Sequence, residues 1–252
     1  MEFSIQKIVY YTLTKVINTE FRKVDIEKKI KALKKASITA LLAINYCKKN
    51  RDLFVGKTER QAAKLIKKFC IKRGYHQAFP LIIGTGENSS KIHAWPSKRV
   101  IKNNDIVMID IGLKHSWISD YASDLTRTFF FEKPTTEQKK VYEIVKKAHD
   151  LAIKAVKIGV SAANVDEIAR NYIKEHFNGY NIPHGVGHAV KRWDHAHPFL
   201  SPGMNYTLKK NDIITIEPGI YLPNQFGVRI EDMALVTNRR LKLLTHSYKE
   251  DY

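Results

Sequence analysis

Apolar positions along the chain repeat first with a helical period, then with a period of two, and then pass through the same order again. From Asp25 to Lys49 the spacing of Leu33, Leu41 and Ile44, with Ala32, Ala36, Ala40 and Ala43 beside them, predicts a helix with Asp25 as its N-cap. Residues 1–20 show no clear period and read as a short helix or ordered arm. Thr58 with Gln61 has the spacing of a capping box and opens a second helix, Glu59–Arg73, which Gly74 ends. Phe79–Gly84 and Lys91–Trp95 read as strands around a turn-rich Gly84–Ser89, and Asp105–Gly112 and Ala122–Phe131 alternate as two more. After Pro134 come two helices, Thr136–Lys157, stopped by Gly159, and another capped at Ser161 or Asn164 that runs to His176. Two further alternating runs, Asp212–Tyr221 and Gly227–Val236, complete the pattern.

The alternation puts charge where apolar side chains belong. Asp110 shares a face with Ile106 and Met108, and Asp124 shares one with Thr126, Thr128 and Phe130. Glu217 follows Ile213 and Thr215, while Glu231 stands between Arg229 and Met233. Taken singly, such a residue also reads as a strand-end carboxylate capping a turn. A buried, unpaired carboxylate is costly, so a group of four implies a shared proton, a cationic partner or a metal ion. Because helices followed by a strand pair occur twice, each time with two inward carboxylates, the pattern predicts a pseudo-symmetric α+β domain with a four-carboxylate centre between halves. Between the strand pairs, IPHGVGHAVKRWDHAHP carries His184, His188, His195 and His197. One imidazole among four carboxylates is a hard, oxygen-rich donor set, suited to two divalent cations about 3.5–4 Å apart.

Composition narrows the picture. The 252 residues fit one two-lobed domain or two domains, and no linker divides them. A net charge of +18 raises a nucleic-acid surface as one reading. The densest cluster, Arg22 to Lys35, also spaces Ile26, Ile30, Leu33 and Ser37 as an amphipathic helix, so a solvated face is favoured over RNA or ribosome binding. No apolar run reaches membrane length, and the N-terminus is too interrupted by polar residues for a signal peptide. Two cysteines, Cys47 and Cys70, suggest no disulfide framework, which fits a reducing cytoplasm.

IDIG at Asp110, SDLTRTF at Asp124, PHGVGH ending at His188, TIEPGIY at Glu217 and GVRIED at Glu231 match a known set in order and approximate spacing. From Asp25 to Val236 the chain resembles the pita-bread metallopeptidases: methionine aminopeptidases, Xaa-Pro aminopeptidases, prolidases and creatinase. The resemblance implies a pseudo-symmetric, curved antiparallel sheet flanked by helices, with residues 25–252 as catalytic domain and 1–24 as an N-terminal arm or short helix. It implies two divalent ions, Mn²⁺ or Co²⁺, with Zn²⁺ or Fe²⁺ as alternatives. Asp124 and Glu231 would bridge them, Asp110 would hold one, and His188 with Glu217 the other. Glu217 would also move the proton, His93 and His195 would be catalytic and touch substrate, His184 would line the substrate pocket, and Arg229 would orient Glu231.

SDLTRTF, EPGIY, GVRIED and GTGENSSKIH resemble the Xaa-Pro aminopeptidase and prolidase branch. The implied activity is removal of the first residue from a peptide with a free N-terminus, with methionine aminopeptidase, or a non-catalytic peptide- or ribosome-binding protein, as alternatives. No membrane partner is expected, and monomer and dimer both stay open. Proline leaves a tertiary amide, for which His184, Trp193 and His195 could form a ring-shaped wall with Tyr221 near it. His115, His149, His176 and His246 read as surface or packing residues, and His197 as either pocket or structural. Three features depart from the branch. The interval from Asp110 to Asp124 is longer than usual, implying a lengthened turn at Ser116–Asp120; Ala196 follows His195 where an acidic residue is common; and too few residues precede Asp25 for the branch's N-terminal domain.

Overall fold

A computed structural model of the chain describes residues 2–115, 121–190, 195–238 and 241–245, with residues 2–25 as backbone alone. The expected turn at Ser116–Asp120, Trp193 and His246 lie outside the described residues. The first half comprises α1 (Glu2–Lys49), a single turn α2 (Arg51–Phe54), α3 (Glu59–Ile71), β1 (Tyr75–Gln77), β2 (Ile82–Thr85), β3 (Ile106–Asp110), β4 (Leu113–His115) and β5 (Thr126–Phe130). The second comprises α4 (Thr136–Ala155), α5 (Ala162–His176), β6 (Gly187–Ala189), β7 (Ala196–Leu200), β8 (Ile213–Ile216), β9 (Gly219–Leu222), β10 (Phe226–Arg229), β11 (Asp232–Leu235) and β12 (Lys242–Leu243). All ladders are antiparallel, in the orders β2-β3-β5, β12-β11-β8-β6-β7, β9-β10 and β1-β4.

Each half has its own apolar core. Ala36, Ala40 and Ile44 of α1 and Ala62 and Ile66 of α3 pack on Val107, Ile109 and Phe129. Val141 and Val145 of α4 and Val165 and Ala169 of α5 pack on Ile214, Ile216 and Val228. The capping box at Thr58 and Gln61 is formed, and Thr135 with Gln138 makes a second, unexpected one at the head of α4. Gly74 and Gly159 adopt φ of +80° and +86°, the left-handed backbone that ends α3 and precedes α5. On α1, Lys28, Lys31 and Lys35 are exposed opposite buried Leu33 and Ala36, as a solvated basic face requires.

Several expectations need correction. Asp25 is no cap: α1 runs unbroken from Glu2 through it, since Lys23-Val24 supplies no helix-breaking residue ahead of it. Lys91–Trp95 is a loop and not a strand, because Trp95 N turns back to His93 O and leaves only Ala94 O to meet Ile83 N. The two C-terminal runs are each broken in the middle, at Glu217-Pro218 and at Ile230-Glu231.

The halves repeat local chemistry as well as element order. Asp105 accepts from Lys102 N at 2.8 Å ahead of β3, and Asp212 accepts from Lys209 N at 2.8 Å ahead of β8. Thr58, capping α3, bridges to Val100; Ser161, at the N-cap of α5, bridges to Thr207. By the same register Asp110 corresponds to Glu217 and Asp124 to Glu231. Gly84, opposite Met108, then holds the place that His188 holds beside Thr215.

A buried carboxylate anchors a site loop in each half. Glu59, fully buried at the start of α3, accepts from Thr85 N and Oγ1, Asn88 Nδ2, and Ser97 N and Oγ at 2.6–3.0 Å, fixing the loop that carries His93. Asp166 on α5 accepts from Val186 N and from Arg170, which in turn donates to the Ile182 and His184 carbonyls. Glu59→Gln turns one acceptor oxygen into a donor facing other donors. It is expected to cost about 3 kcal/mol in urea unfolding, in the range of charged hydrogen bonds lost from buried sites. A loss below about 0.5 kcal/mol would show that the anchor does not hold the loop.

Candidate active site

The four carboxylates stand where strands end or change partners. Asp110 closes β3, and Asp124 lies just before β5. Glu217 occupies the break between β8 and β9, where Pro218 has no N–H to continue a ladder; its own N–H crosses to Val186 O at 2.8 Å. Glu231 occupies the break between β10 and β11, and its N–H crosses to Thr126 O at 3.1 Å, joining the sheets of the two halves. Thr128 Oγ1 makes the neighbouring stitch, donating to Arg229 O at 2.9 Å and accepting from Arg229 N at 3.1 Å. Asp110 and Glu231 therefore belong to different ladders yet face one another across a hydrogen-bonded seam.

These residues line a cavity of about 560 Å³, within the usual range for small-molecule sites. The residues nominated as ligands, catalytic groups and their supports all lie on it, namely His93, Asp110, Asp124, His184, His188, His195, Glu217, Arg229 and Glu231, whereas Tyr221, expected near the proline wall, is not among its lining residues. Ligand atoms of Asp124, His188 and Glu231 fall within 4.8 Å of one another. His188 Nε2 is 3.6 Å from Asp124 Oδ2 and 3.5 Å from Glu217 Oε1. The other ring nitrogen, Nδ1, lies 3.2 Å from the Ala189 carbonyl and donates to it, so in the neutral ring the Nε2 lone pair faces two carboxylates.

Electrostatics asks for more positive charge than these residues provide. Burial, joined by Asp124, Glu217 and Asp110, pushes Glu231 well above the ordinary carboxylate range. Glu217 is lifted to about 7 by burial, with Arg229 opposing and Asp110 adding to the rise. Burial raises Asp110 too, although Arg229 pulls it down, and Asp110 Oδ1 is buried with no hydrogen-bond partner among the described residues. Four carboxylates, an inward imidazole lone pair and an orphan oxygen fit divalent cations, which would supply the missing charge.

Arg229, 2% exposed, is the cation that the chain itself contributes. It donates to Asp110 Oδ2 at 2.6 Å, Thr126 Oγ1 at 3.1 Å, Tyr221 Oη at 2.9 Å and the Ile92 carbonyl at 3.0 Å. Thr126 Oγ1 donates onward to Glu231 Oε2 at 2.8 Å. So Arg229 grips Asp110 directly and reaches Glu231 only through Thr126, a shift from the direct contact expected. His184 Nδ1 donates to Gly185 O at 2.8 Å, and burial lowers this ring to about 4, so its Nε2 accepts from Tyr221 O–H at 2.9 Å. His184 therefore orients Tyr221 as well as lining the cavity.

His93 and His195 lie on the open side, both exposed, with the His195 ring centroid 4.3 Å from that of His188. His197 is off this cavity and packs on Tyr206. His149, expected at the surface or in packing, is buried with Nε2 3.3 Å from Asp232 Oδ2; Asp232 also takes Arg127, which donates to the Glu231 carbonyl. The hydroxyl roles of Thr126 and Tyr221 were not anticipated from the sequence. The alternation that puts Thr126 beside Asp124 carried a signal for the first, whereas Tyr221 was expected near the proline wall and nothing in its spacing pointed to what its hydroxyl would meet.

Comparison with known proteins agrees with this geometry. Residues 29–238 match the model of metallopeptidase family M24. The chain is 36% identical over 242 residues to an Xaa-Pro dipeptidase of Pyrococcus horikoshii, covering 92% of this chain and 68% of that one. It is 34% identical to an uncharacterised peptidase of Staphylococcus aureus, of which it spans 64%. The prolidase of Pyrococcus furiosus superposes with a TM-score of 0.82 at 36% identity, over 88% of this chain and 65% of that one. An X-Pro aminopeptidase of Thermotoga maritima does so at 0.83 and 30%, over 89% and 62%. The α+β architecture is the pita-bread fold, and among the described residues no helix is long and apolar enough to cross a membrane. The chain belongs to metallopeptidase family M24.

Proposed function

We propose that the chain is a dinuclear-metal exopeptidase that removes the residue preceding proline from the N-terminus of a peptide, with residues 25–252 as its catalytic unit. The observation that carries this is the convergence of four carboxylates and the His188 imidazole on one cavity whose only arginine or lysine, among the described residues, is the committed Arg229. Asp110, Asp124, His188, Glu217 and Glu231 would hold two divalent ions, with Mn²⁺ or Co²⁺ favoured by the oxygen-rich set. When bound, the ions supply Lewis-acid polarisation of the scissile carbonyl and acidify water.

The remaining work falls to the chain's own side chains. Glu217, partly exposed to the cavity, is placed to take a proton and return it to the leaving nitrogen. His195 and His93, on the open side, are placed to donate to charge developing on the carbonyl oxygen. The prolyl nitrogen carries no hydrogen, so the wall around it needs shape more than hydrogen-bond acceptors, and Pro183, His184 and Phe79 provide one. Burial raises the Cys70 thiol to about 11 and pushes Cys47 higher still, so neither competes as a nucleophile. Two free, buried thiols are consistent with the cytoplasm, where we place the enzyme.

The test is a peptide panel with and without chelator. Xaa-Pro-led peptides should be cleaved with kcat/KM at least about tenfold above Met-Ala-Ser, ~1.4 kcal/mol in transition-state binding. Chelation should abolish cleavage, and Mn²⁺ or Co²⁺ should restore it. Equal or faster release of methionine would transfer the chain to the methionine aminopeptidase branch, while full activity after exhaustive chelation would remove the metal mechanism altogether.

A further inference from the structure

We infer that the cavity carries, beyond the scissile bond, an apolar subsite formed by Trp95 and Phe199. It selects peptides of three or more residues with an apolar or aromatic side chain directly after the proline. This rests on the Xaa-Pro reading above and deepens it.

Large apolar side chains left in water are ordinary when scattered, but informative when gathered at a cleft. Eight large hydrophobic residues are exposed among those described: Ile38, Leu42, Leu53, Ile71, Trp95, Val100, Ile158 and Phe199. Of these only Trp95 and Phe199 line the cavity, and they are also the only aromatic ones. Trp95 is 54% exposed and Phe199 40%. The first half of the molecule supplies one ring and the second half the other.

Both rings are carried by fixed backbone. Trp95 N donates to His93 O at 2.9 Å, and its neighbour Ala94 is buried, its carbonyl accepting from Ile83 N at 3.1 Å. Two residues on, Ser97 is clamped by Glu59. The indole lies nearly parallel to the His93 ring, with centroids 6.0 Å apart and planes 19° apart. Phe199 is the cross-strand partner of His188, so the two side chains share a face of the β6–β7 ladder, and Pro198 and Leu200 on either side are buried. Rings carried on backbone that is fixed before a ligand arrives leave only side-chain freedom to lose on binding it.

Their position fixes which part of a peptide they meet. Trp95 lies beside His93 and Phe199 opposite His188, so each ring borders one of the side chains that face the reacting end of the cavity. A dipeptide would put its terminal carboxylate beside these rings. Among the described residues, the cavity's one guanidinium is already bound to Asp110, Thr126, Tyr221 and Ile92 O, so it offers that carboxylate no uncommitted partner. A peptide that continues as a neutral amide places no charge against these apolar rings and sets its third side chain on aromatic surface.

The experiment measures kcat/KM of the metal-loaded enzyme for three peptides sharing one first residue: Xaa-Pro, Xaa-Pro-Gly and Xaa-Pro-Phe. The tripeptide ending in Phe should exceed the one ending in Gly by about tenfold, and both should exceed the dipeptide. In Trp95→Ala and in Phe199→Ala the Phe-to-Gly ratio should fall to within about threefold of unity; being a ratio within one preparation, it is insensitive to partial misfolding. A ratio near one in the unaltered enzyme, a ratio that survives both substitutions, or a dipeptide faster than either tripeptide overturns the subsite. If methionine-led peptides prove the better substrates, the branch reading fails separately, and the ratio of Met-Ala-Phe to Met-Ala-Gly then supports or overturns the subsite by the same thresholds. A protein that cleaves none of these overturns both.

Discussion

Asp124→Asn is expected to lower kcat/KM for an Xaa-Pro peptide by at least about a thousandfold, ~4 kcal/mol in the barrier, and to lose bound divalent metal. The reason is local charge. Asp124 Oδ2 faces His188 Nε2 at 3.6 Å within the cluster that includes Glu231, and an amide there offers one neutral oxygen in place of two anionic ones. The same substitution should act in the opposite direction on the metal-free protein. Asp124 is the foremost of the charged groups that drive Glu231 upward, so neutralising it relieves repulsion in the buried centre. Stripped of metal, the variant should melt no lower than stripped wild type, whereas the rise in Tm that Mn²⁺ gives wild type should largely disappear. Metal content is read by elemental analysis and stability by calorimetry. An Asn variant that binds as much metal as wild type, with an equal Tm gain, would show that Asp124 is not a ligand.

Arg229→Met is expected to destabilise the protein by about 3–5 kcal/mol, the range for breaking a buried ion pair from one side. Methionine fills much of the volume, so the loss isolates the guanidinium and not the packing. Without it the Asp110 carboxylate loses its 2.6 Å partner, and the Tyr221 hydroxyl and Ile92 carbonyl each lose a donor within a buried region. Lysine should rescue only part, because one ammonium cannot span four acceptors that a planar fork reaches together. Adding Asp110→Asn to Arg229→Met should recover stability by removing the unpaired charge, a coupling that a double-mutant cycle reports. If the double variant is less stable by the full sum of the single losses, the pair makes no specific contribution.

Much of this centre was legible because charge interrupted an apolar rhythm. Asp110, Asp124, Glu217 and Glu231 stood out against neighbours such as Ile109, Ile213 and Met233, all of which are buried. The helices were legible from their small-residue stripes and from Thr58 with Gln61. A strand corner was not, because a count of two continues across it: Glu217 and Glu231 both keep the alternation while their strands change partners. The reach of α1 back to Glu2 was hidden by residues with no apolar period to report it. Tyr221 was placed near the pocket but its hydroxyl's work was hidden for another reason, since it depends on Arg229 and His184, which only the folded chain brings to that hydroxyl.

The repeat that equates Asp110 with Glu217 and Asp124 with Glu231 fails at one position, where Gly84 stands in place of His188. A Cβ on Gly84 would lie 2.7 Å from the Ala94 Cβ and 2.8 Å from the Ser89 backbone, because the loop bearing His93 packs directly on that strand. The first half therefore has no room for any side chain there, let alone a second imidazole. In the proposed ligand set one ion then meets nitrogen as well as oxygen while the other meets oxygen alone, so a duplicated scaffold presents two chemically unlike seats. They should fill in order and differ in the metals they prefer, the mixed seat favouring borderline ions and the oxygen seat harder ones. Symmetry in the backbone has become a hierarchy in the chemistry, and a single glycine marks where the two diverge.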